Sequence, residues 1–263
     1  MAYYAGIDIG STTSKAVILN DEGEVEAHAI LRNTYNLAES GRKAFLTALD
    51  KKGLSESEIS YIVSTGYGRR TIDIQNEAQP EVICHAKGTI EIIPTCRTII
   101  DIGGQDSKVI ELDEKGARNF QMNDKCAAGT GRYLDKLADD ILGVKVEQLG
   151  KVSLKSDKLI SLSTQCTVFA ETEIISHLSR KESIENIAAG MHYSLAKRVI
   201  QMAGTANIKL KKDIVFSGGV ARNIGMVKAI KDLLGEELIV PEEPQLTAAR
   251  GAALMARERV GNS

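Results

Sequence analysis

The nine residues Ile7-Asp8-Ile9-Gly10-Ser11-Thr12-Thr13-Ser14-Lys15 return without a gap as Ile100-Asp101-Ile102-Gly103-Gly104-Gln105-Asp106-Ser107-Lys108. The two stretches share Ile-Asp-Ile-Gly and Ser-Lys and lie 93 positions apart. Self-similarity of this kind means that each half of the chain opens with the same structural device. In both copies an apolar run (Tyr4 to Ile9; Thr98 to Ile102) passes through glycine and polar residues into a second apolar run (Ala16 to Leu19; Val109 to Leu112). That pattern predicts a β-hairpin. A phosphate loop of the Gly-Lys-Ser/Thr type leads into a helix instead.

Working outward, a third glycine turn, Ser217-Gly218-Gly219, follows the apolar run Ile214-Val215-Phe216 and precedes a helical pattern from Asn223 to Leu234. Tyr133-Leu134, Leu137-Ala138 and Ile141-Leu142 repeat at helical spacing, as do Ile184, Ile187, Met191, Leu195 and Val199. Alternating strands and helices predict an α/β protein. A boundary near Pro94 divides it into a first domain, 1–94, and a second, 95–246. The Ala-rich terminal segment 247–263, helical from roughly Thr247 to Arg259, is expected to pack back on the first domain.

The length of 263 residues suits two domains, each with its own core. With 43% hydrophobic and 26% charged residues, the composition is that of a folded soluble protein and excludes disorder. Lys+Arg 33 against Asp+Glu 35 leaves no basic field, so nucleic acid is not an expected partner. No apolar run reaches the ~20 residues of a membrane span. The N-terminus lacks a charged segment followed by an apolar one. A cytoplasmic location, away from membranes, is expected. Aromatic residues are only 4% and tryptophan is absent, which disfavours a sugar pocket.

An aspartate ending a buried strand, followed by glycine and small hydroxyl residues, has a use around a nucleotide. Glycine lets backbone N–H groups close on phosphate oxygens, hydroxyls and lysine add donors, and the carboxylate holds hydrated Mg²⁺. One such loop is equally an ordinary turn. Turn chemistry alone, however, does not require Ser-Lys to recur at the same place. The set resembles the ATPase fold shared by actin, Hsp70 and sugar kinases (the ASKHA fold), with a phosphate-1 loop at Asp8 to Lys15, a phosphate-2 loop at Asp101 to Lys108, and an adenosine motif at Gly218-Gly219 with Asn223. That resemblance spans nearly the whole chain. It implies two duplicated domains with Mg-ATP in the cleft between them. It also implies that Asp8 and Asp101 hold magnesium or orient water and that Gln105 positions the attacking water. Ser11, Thr12, Thr13, Lys15, Gly103 and Gly104 would surround the phosphates. Lys108 joins them by symmetry or is simply a solvated charge, and Asp106 is equally a turn residue.

Four cysteines, Cys84, Cys96, Cys126 and Cys166, lie 12, 30 and 40 positions apart with no CxxC pair. Zinc knuckles and thioredoxin-type motifs are thereby excluded, and a reducing compartment makes disulfides unexpected. Cys84 and Cys96 read as structural. Cys126 and Cys166 each precede a helical pattern and are expected at helix starts, where partial positive charge favours an anionic thiolate-ligated centre. Free cysteine is also among the most often buried residues, so on residues alone both readings stand. His28, His85, His177 and His192 have no second ligand at metal spacing.

Asn123-Asp124-Lys125-Cys126-Ala127-Ala128-Gly129-Thr130-Gly131-Arg132 and Cys166-Thr167-Val168-Phe169-Ala170-Glu171, with Thr65-Gly66-Tyr67-Gly68-Arg69, look like the activator component of 2-hydroxyacyl-CoA dehydratases, in the family that includes benzoyl-CoA reductase ATPase subunits. This resemblance implies that Cys126 and Cys166 give two thiolates to one 4Fe-4S cluster shared across a homodimer. A cubane cluster takes four. It further implies an anaerobic ATPase that takes an electron from ferredoxin or flavodoxin. Binding and hydrolysis of ATP to ADP would drive that electron on to an iron-sulfur dehydratase or related reductase. Two rivals remain open: a small-molecule (sugar) kinase of the same fold, and a nucleotide-gated scaffold that moves no electron. Gly129-Thr130-Gly131 either contacts nucleotide or shapes the Cys126 loop.

Overall fold

The computed structural model describes residues 2–261, so residue 1 of the expected domain 1–94 and residues 262 and 263 of the expected segment 247–263 lie outside the described residues. The chain forms two compact units, residues 1–96, 112–118 and 245–263 in the first and 97–111 and 119–244 in the second. The first half runs β1 (Tyr3–Ile9), β2 (Thr13–Leu19), β3 (Val25–Arg32), α1 (Leu37–Lys52), β4 (Ile59–Thr65), β5 (Glu77–Ala78) and α2 (Glu81–Ile92). The second runs β6 (Thr98–Ile102), β7 (Ser107–Asp113), β8 (Gly116–Asn123), α3 (Gly131–Leu137), α4 (Val146–Ser153), α5 (Thr167–Ser179), α6 (Ile184–Thr205), β9 (Ile214–Ser217), α7 (Ile224–Leu234) and β10 (Leu238–Ile239), and α8 (Thr247–Gly261) closes the chain. No helix among the described residues is long and apolar enough to cross a membrane.

Both repeats form the hairpins their sequence predicts. β1 pairs antiparallel with β2, Asp8 opposite Lys15, and β6 pairs with β7, Asp101 opposite Lys108. Each first strand then pairs in parallel with a later one, β1 with β4 and β6 with β9. The two five-stranded sheets have one order, β3-β2-β1-β4-β5 and β8-β7-β6-β9-β10. The duplication therefore extends well beyond the nine repeated residues.

In the first unit α1 lays Phe45 and Leu49 on Ile7, Ile9 and Ile18, while α8 covers the opposite face beside Tyr4 and Val63. Because both faces are covered, β1 is buried along nearly its whole length. The Ala-rich composition of α8 follows from how closely it approaches: a Cβ on Gly6 would overlap the Ala249 carbonyl, and one on Gly251 would overlap the Cys84 carbonyl of α2. Only small residues permit backbone contact of this kind. In the second unit Ile100, Ile102 and Phe216 of the sheet pack with Leu134, Leu195 and Met226 of α3, α6 and α7. The helical pattern at Tyr133 to Leu142 ends α3 at Leu137 and continues as a single π turn, Ala138–Leu142.

The start of α7 is fixed by Asn223, whose Oδ1 accepts from the Gly225 and Met226 N–H groups at 2.9 and 3.3 Å. Its Nδ2 therefore donates to His192 Nε2, 3.1 Å away, which places the imidazole proton on Nδ1. Burial pushes this histidine down to about 3, so it stays neutral.

Two outcomes follow. Gly251→Ala, forced against the Cys84 carbonyl, is expected to lose about 3 kcal/mol in urea unfolding, and an unchanged midpoint would contradict the close packing. His192 binds its proton in the unfolded chain near the ordinary value of about 6.5 but in the folded chain only near 3. Stability from this group is thus present above pH 6.5 and is lost as pH falls toward 3, by up to about tenfold in the folding constant per pH unit. Unfolding curves across that window should be less steep in pH for His192→Gln than for the wild type, and parallel curves would contradict a neutral buried imidazole.

Candidate functional site

Asp8 stands near the end of β1, only 3% exposed, because its strand is covered on both faces. Its Oδ2 accepts from Lys15 Nζ across the hairpin at 2.9 Å. Its Oδ1 is buried without a hydrogen-bond partner, and so is Thr12 Oγ1 in the same turn. Leaving such an atom unsatisfied costs about 1–3 kcal/mol, so two in one turn mark a place where a polar ligand belongs. Gly10 N–H donates to the Thr13 carbonyl at 3.1 Å and holds the turn tight. A Cβ on Gly10 would stand 3.3 Å from Lys15 Nζ. Ser11 and Thr13 are half-buried in this turn. Asn33, at the end of β3, braces it: Ser14 Oγ donates to its Oδ1 at 2.8 Å, and its Nδ2 donates to the Gly10 carbonyl at 2.8 Å.

In the second unit the same positions are arranged differently. Asp101 Oδ1 accepts from Ser217 Oγ at 2.8 Å, and Oδ2 lies 3.4 Å from Lys108 Nζ. Lys108 is 1% exposed and sits 2.7 Å from Asp106 Oδ2, so it is a buried ammonium between two carboxylates rather than a solvated charge. Such a charge is tolerated in the interior only because it is paired. The Asp106 carbonyl accepts from Gly103 N–H at 2.9 Å and closes the turn. Gln105, with its amide oriented so that oxygen faces donors, accepts from Arg132 Nη2 at 2.7 Å. Gly218, at φ +86°, brings its backbone against Asp101: a Cβ there would lie 2.9 Å from Oδ1. Gly219 opens the short 3-10 turn Gly219–Arg222, and the amide of Asn223 is engaged in capping α7.

Asn33 escapes the sequence reading, and Gly66, Arg132 and Ser217, quoted there only within longer motifs, gain a place in these turns. Gly66 also has φ +86°, and a Cβ on it would overlap Asp8 Oδ1. It is the counterpart of Gly218. The signal lay in Ser64-Thr65-Gly66 and Phe216-Ser217-Gly218, where a hydroxyl residue and glycine end the parallel strand in both halves.

All four cysteines are free thiols. Cys84 and Cys96 are fully buried, and burial pushes the Cys84 thiol up to about 12, which keeps it protonated. Cys126 and Cys166 are half-exposed. Cys166 is the residue that caps α5, its carbonyl accepting from Ala170 N–H at 3.1 Å. Cys126 departs from the expectation of a helix start, because the turn Ala127-Ala128-Gly129-Thr130 separates it from α3 and Thr130 takes the cap position. Asn123 Nδ2 holds that turn by donating to the Cys126 and Ala128 carbonyls at 2.9 and 3.0 Å. Thr130 Oγ1 donates to the Ala127 carbonyl at 2.7 Å. Next along the chain, Gly131 N–H donates to the Gly103 carbonyl at 2.8 Å and Arg132 N–H to the Gly104 carbonyl at 2.9 Å. The segment Gly129-Thr130-Gly131 thus shapes the Cys126 turn and joins it to the Gly103-Gly104 loop.

The chain is similar to the 2-hydroxyisocaproyl-CoA dehydratase activator of Clostridioides difficile, with 48% identity over 99% of this chain and 97% of that protein. Among solved structures it resembles component A of the Acidaminococcus fermentans (R)-2-hydroxyglutaryl-CoA dehydratase, with a TM-score of 0.94 and 40% identity over 99% of this chain and all of that one (100%). It also resembles the activator of the 2-hydroxyisocaproyl-CoA dehydratase from Clostridium difficile with bound ADPNP, with a TM-score of 0.92 and 45% identity over 99% of this chain and 96% of that one. The α/β fold with its two sheets is the actin, Hsp70 and sugar-kinase fold. With a family match over residues 5–256, the chain belongs to the BadF/BadG/BcrA/BcrD ATPase family.

Proposed function

We propose that this protein is an ATP-dependent activator that works as a homodimer and delivers low-potential electrons to an iron-sulfur enzyme such as a 2-hydroxyacyl-CoA dehydratase. One observation carries the reading: the first turn of α3 is hydrogen-bonded to the Gly103-Gly104 loop, and the Cys126 turn leads directly into that same helix. A change in the phosphate-2 loop on nucleotide binding or hydrolysis has a direct backbone route to a cysteine. A kinase built on the same loops has no use for this connection. The names of the relatives, activators of CoA-thioester dehydratases, point the same way.

Cys126 and Cys166 fit a thiolate-ligated centre: they are the half-exposed pair, and each is set in a turn braced by hydrogen bonds to its carbonyls. Two thiolates per chain supply the four that a 4Fe-4S cluster takes when two chains meet. When bound, that cluster supplies one-electron chemistry, loaded by ferredoxin or flavodoxin. Val168, Phe169 and Ile175, exposed on α5 just beyond Cys166, offer apolar surface for the second copy. Asp8 Oδ1 and Thr12 Oγ1, buried and unpartnered, fit hydrated Mg²⁺ and a phosphate oxygen. Lys15 adds positive charge there, and Gln105, steadied by Arg132, orients the attacking water. Gly218, Gly219 and Asn223 would frame the adenosine, the last through its place at the foot of α7. ATP must favour one conformation of the Cys126 turn over another, since a ligand with equal affinity for both states shifts nothing. The reaction takes place in the cytoplasm.

Protein purified under strict anoxia is expected to be a dimer with about two irons and two sulfides per chain, both lost in Cys126→Ser. An iron-free wild type that still hydrolyses ATP would sink this reading and favour the kinase. Gln105→Leu is expected to lower ATP turnover about 100-fold while leaving nucleotide affinity within a few-fold, because it removes only the positioning of water. Equal losses in affinity and turnover would assign Gln105 to binding.

A further inference from the structure

Helix α6 carries Ser194 and Arg198 one turn apart, so both side chains lie on one face. Ser194 Oγ donates to the Ser163 carbonyl at 2.8 Å. Arg198 Nη1 donates to the carbonyls of Thr164 and Gln165 at 2.6 and 3.0 Å. Three consecutive carbonyls, ending one residue before Cys166, are therefore held by α6. On the other side of the same segment, Glu173 Oε2 accepts from Ser163 N–H at 2.6 Å.

The stem of Arg198 meets the other cysteine turn. Gly129 has φ +97°, and a Cβ on it would stand 3.0 Å from Arg198 Cδ and 3.2 Å from Nε. A left-handed residue that is also covered by a neighbouring side chain accepts only glycine. The backbone of the Cys126 turn thus lies against the aliphatic part of an arginine whose guanidinium grips the segment before Cys166. Arg198 thus touches both turns, which lie more than thirty residues apart in sequence.

We propose that Arg198 is the positioning residue that joins the two cysteine turns into one unit. Resting on the reading of Cys126 and Cys166 as ligands of one centre, this assignment gives the arginine two jobs. It holds the sulfurs of one chain at a fixed separation before any iron arrives, and it places a permanent positive charge beside an anionic thiolate centre. Arginine suits both, because one guanidinium nitrogen, Nη1, donates to two carbonyls while its stem packs against a glycine. Lysine keeps the charge but carries it on a flexible stem without the planar, pre-organised guanidinium.

The test is hydrogen exchange, followed by mass spectrometry, in the metal-free full-length chain for peptides covering residues 123–131 and 163–168. Arg198→Ala is expected to raise exchange about tenfold in both peptides, the loss expected for charged hydrogen bonds, while peptides from β6 and β9 stay unchanged. Arg198→Lys is expected to fall between wild type and Arg198→Ala, and it carries the test alone if the alanine variant does not fold. Unchanged exchange in residues 123–131, with or without a rise in 163–168, would overturn the proposal, since the turns would then be held independently. After reconstitution with iron and sulfide, Arg198→Lys should lose iron to a chelator several-fold faster than wild type. A wild type that takes up no iron would instead sink the ligand reading, and the exchange result would still decide whether Arg198 ties the turns together.

Discussion

An aspartate buried at the end of a strand, facing a lysine across a hairpin, is the interaction on which the rest of the molecule depends. A carboxylate in the interior is costly unless it is paired, and an ammonium opposite it in register meets that need with residues that the hairpin itself supplies. Asp8 with Lys15 and Asp101 with Lys108 are such pairs, and each fixes the register of its hairpin. Once the register is set, the turn between the paired residues is held at the sheet end with its glycine and hydroxyl residues presented together. The parallel strand that follows ends in a left-handed glycine, Gly66 or Gly218, which brings a second backbone up to the same carboxylate.

The two copies have diverged in what they leave unsatisfied. Asp8 keeps one buried oxygen without a partner, whereas Asp101 has one oxygen taken by Ser217 and the other shared with the Lys108 ammonium. Lys108 itself is drawn off by Asp106. The first turn is thus the one with open coordination, and the second is the one wired to its surroundings, through Gly103 and Gly104 to α3 and through Gln105 to Arg132. Open coordination suits a cation and phosphate, and wiring suits transmission. A duplicated device serves two ends because the residues around it differ.

The hydrogen-bonded path from the Gly103-Gly104 loop to the cysteine turns is short. Backbone hydrogen bonds join the Gly103-Gly104 loop to the start of α3, side-chain bonds from Asn123 and Thr130 hold the Cys126 turn, and α6 holds the segment before Cys166. Each link is a hydrogen bond between segments of the same unit. In the first unit α8 is seated backbone to backbone on β1 and α2.

Much of this was legible in the sequence. Repetition of Ile-Asp-Ile-Gly and Ser-Lys at one spacing foretold both hairpins and the α/β class, because hairpin register and strand burial are local properties that a nine-residue pattern encodes. Cys84, beside Val82 and Ile83, reads as core, whereas Cys126 and Cys166 are set apart by the helical patterns that follow them. What local pattern does not encode is which atoms remain available after folding. Lys108 and Lys15 look alike in sequence, yet Lys108 is sealed between two carboxylates. Asn223 reads as part of an adenosine motif, and its amide is engaged by α7 and His192. Cys126 reads as the start of a helix and lies a full turn before it. Arg198 carried no sequence mark that singled it out, because it acts through contacts with residues far away along the chain. The sequence by itself determined where the turns are and which residue types they hold. Only the tertiary structure decided which donors and acceptors are left over, since hydrogen bonding in the interior is settled between segments that no local pattern brings together.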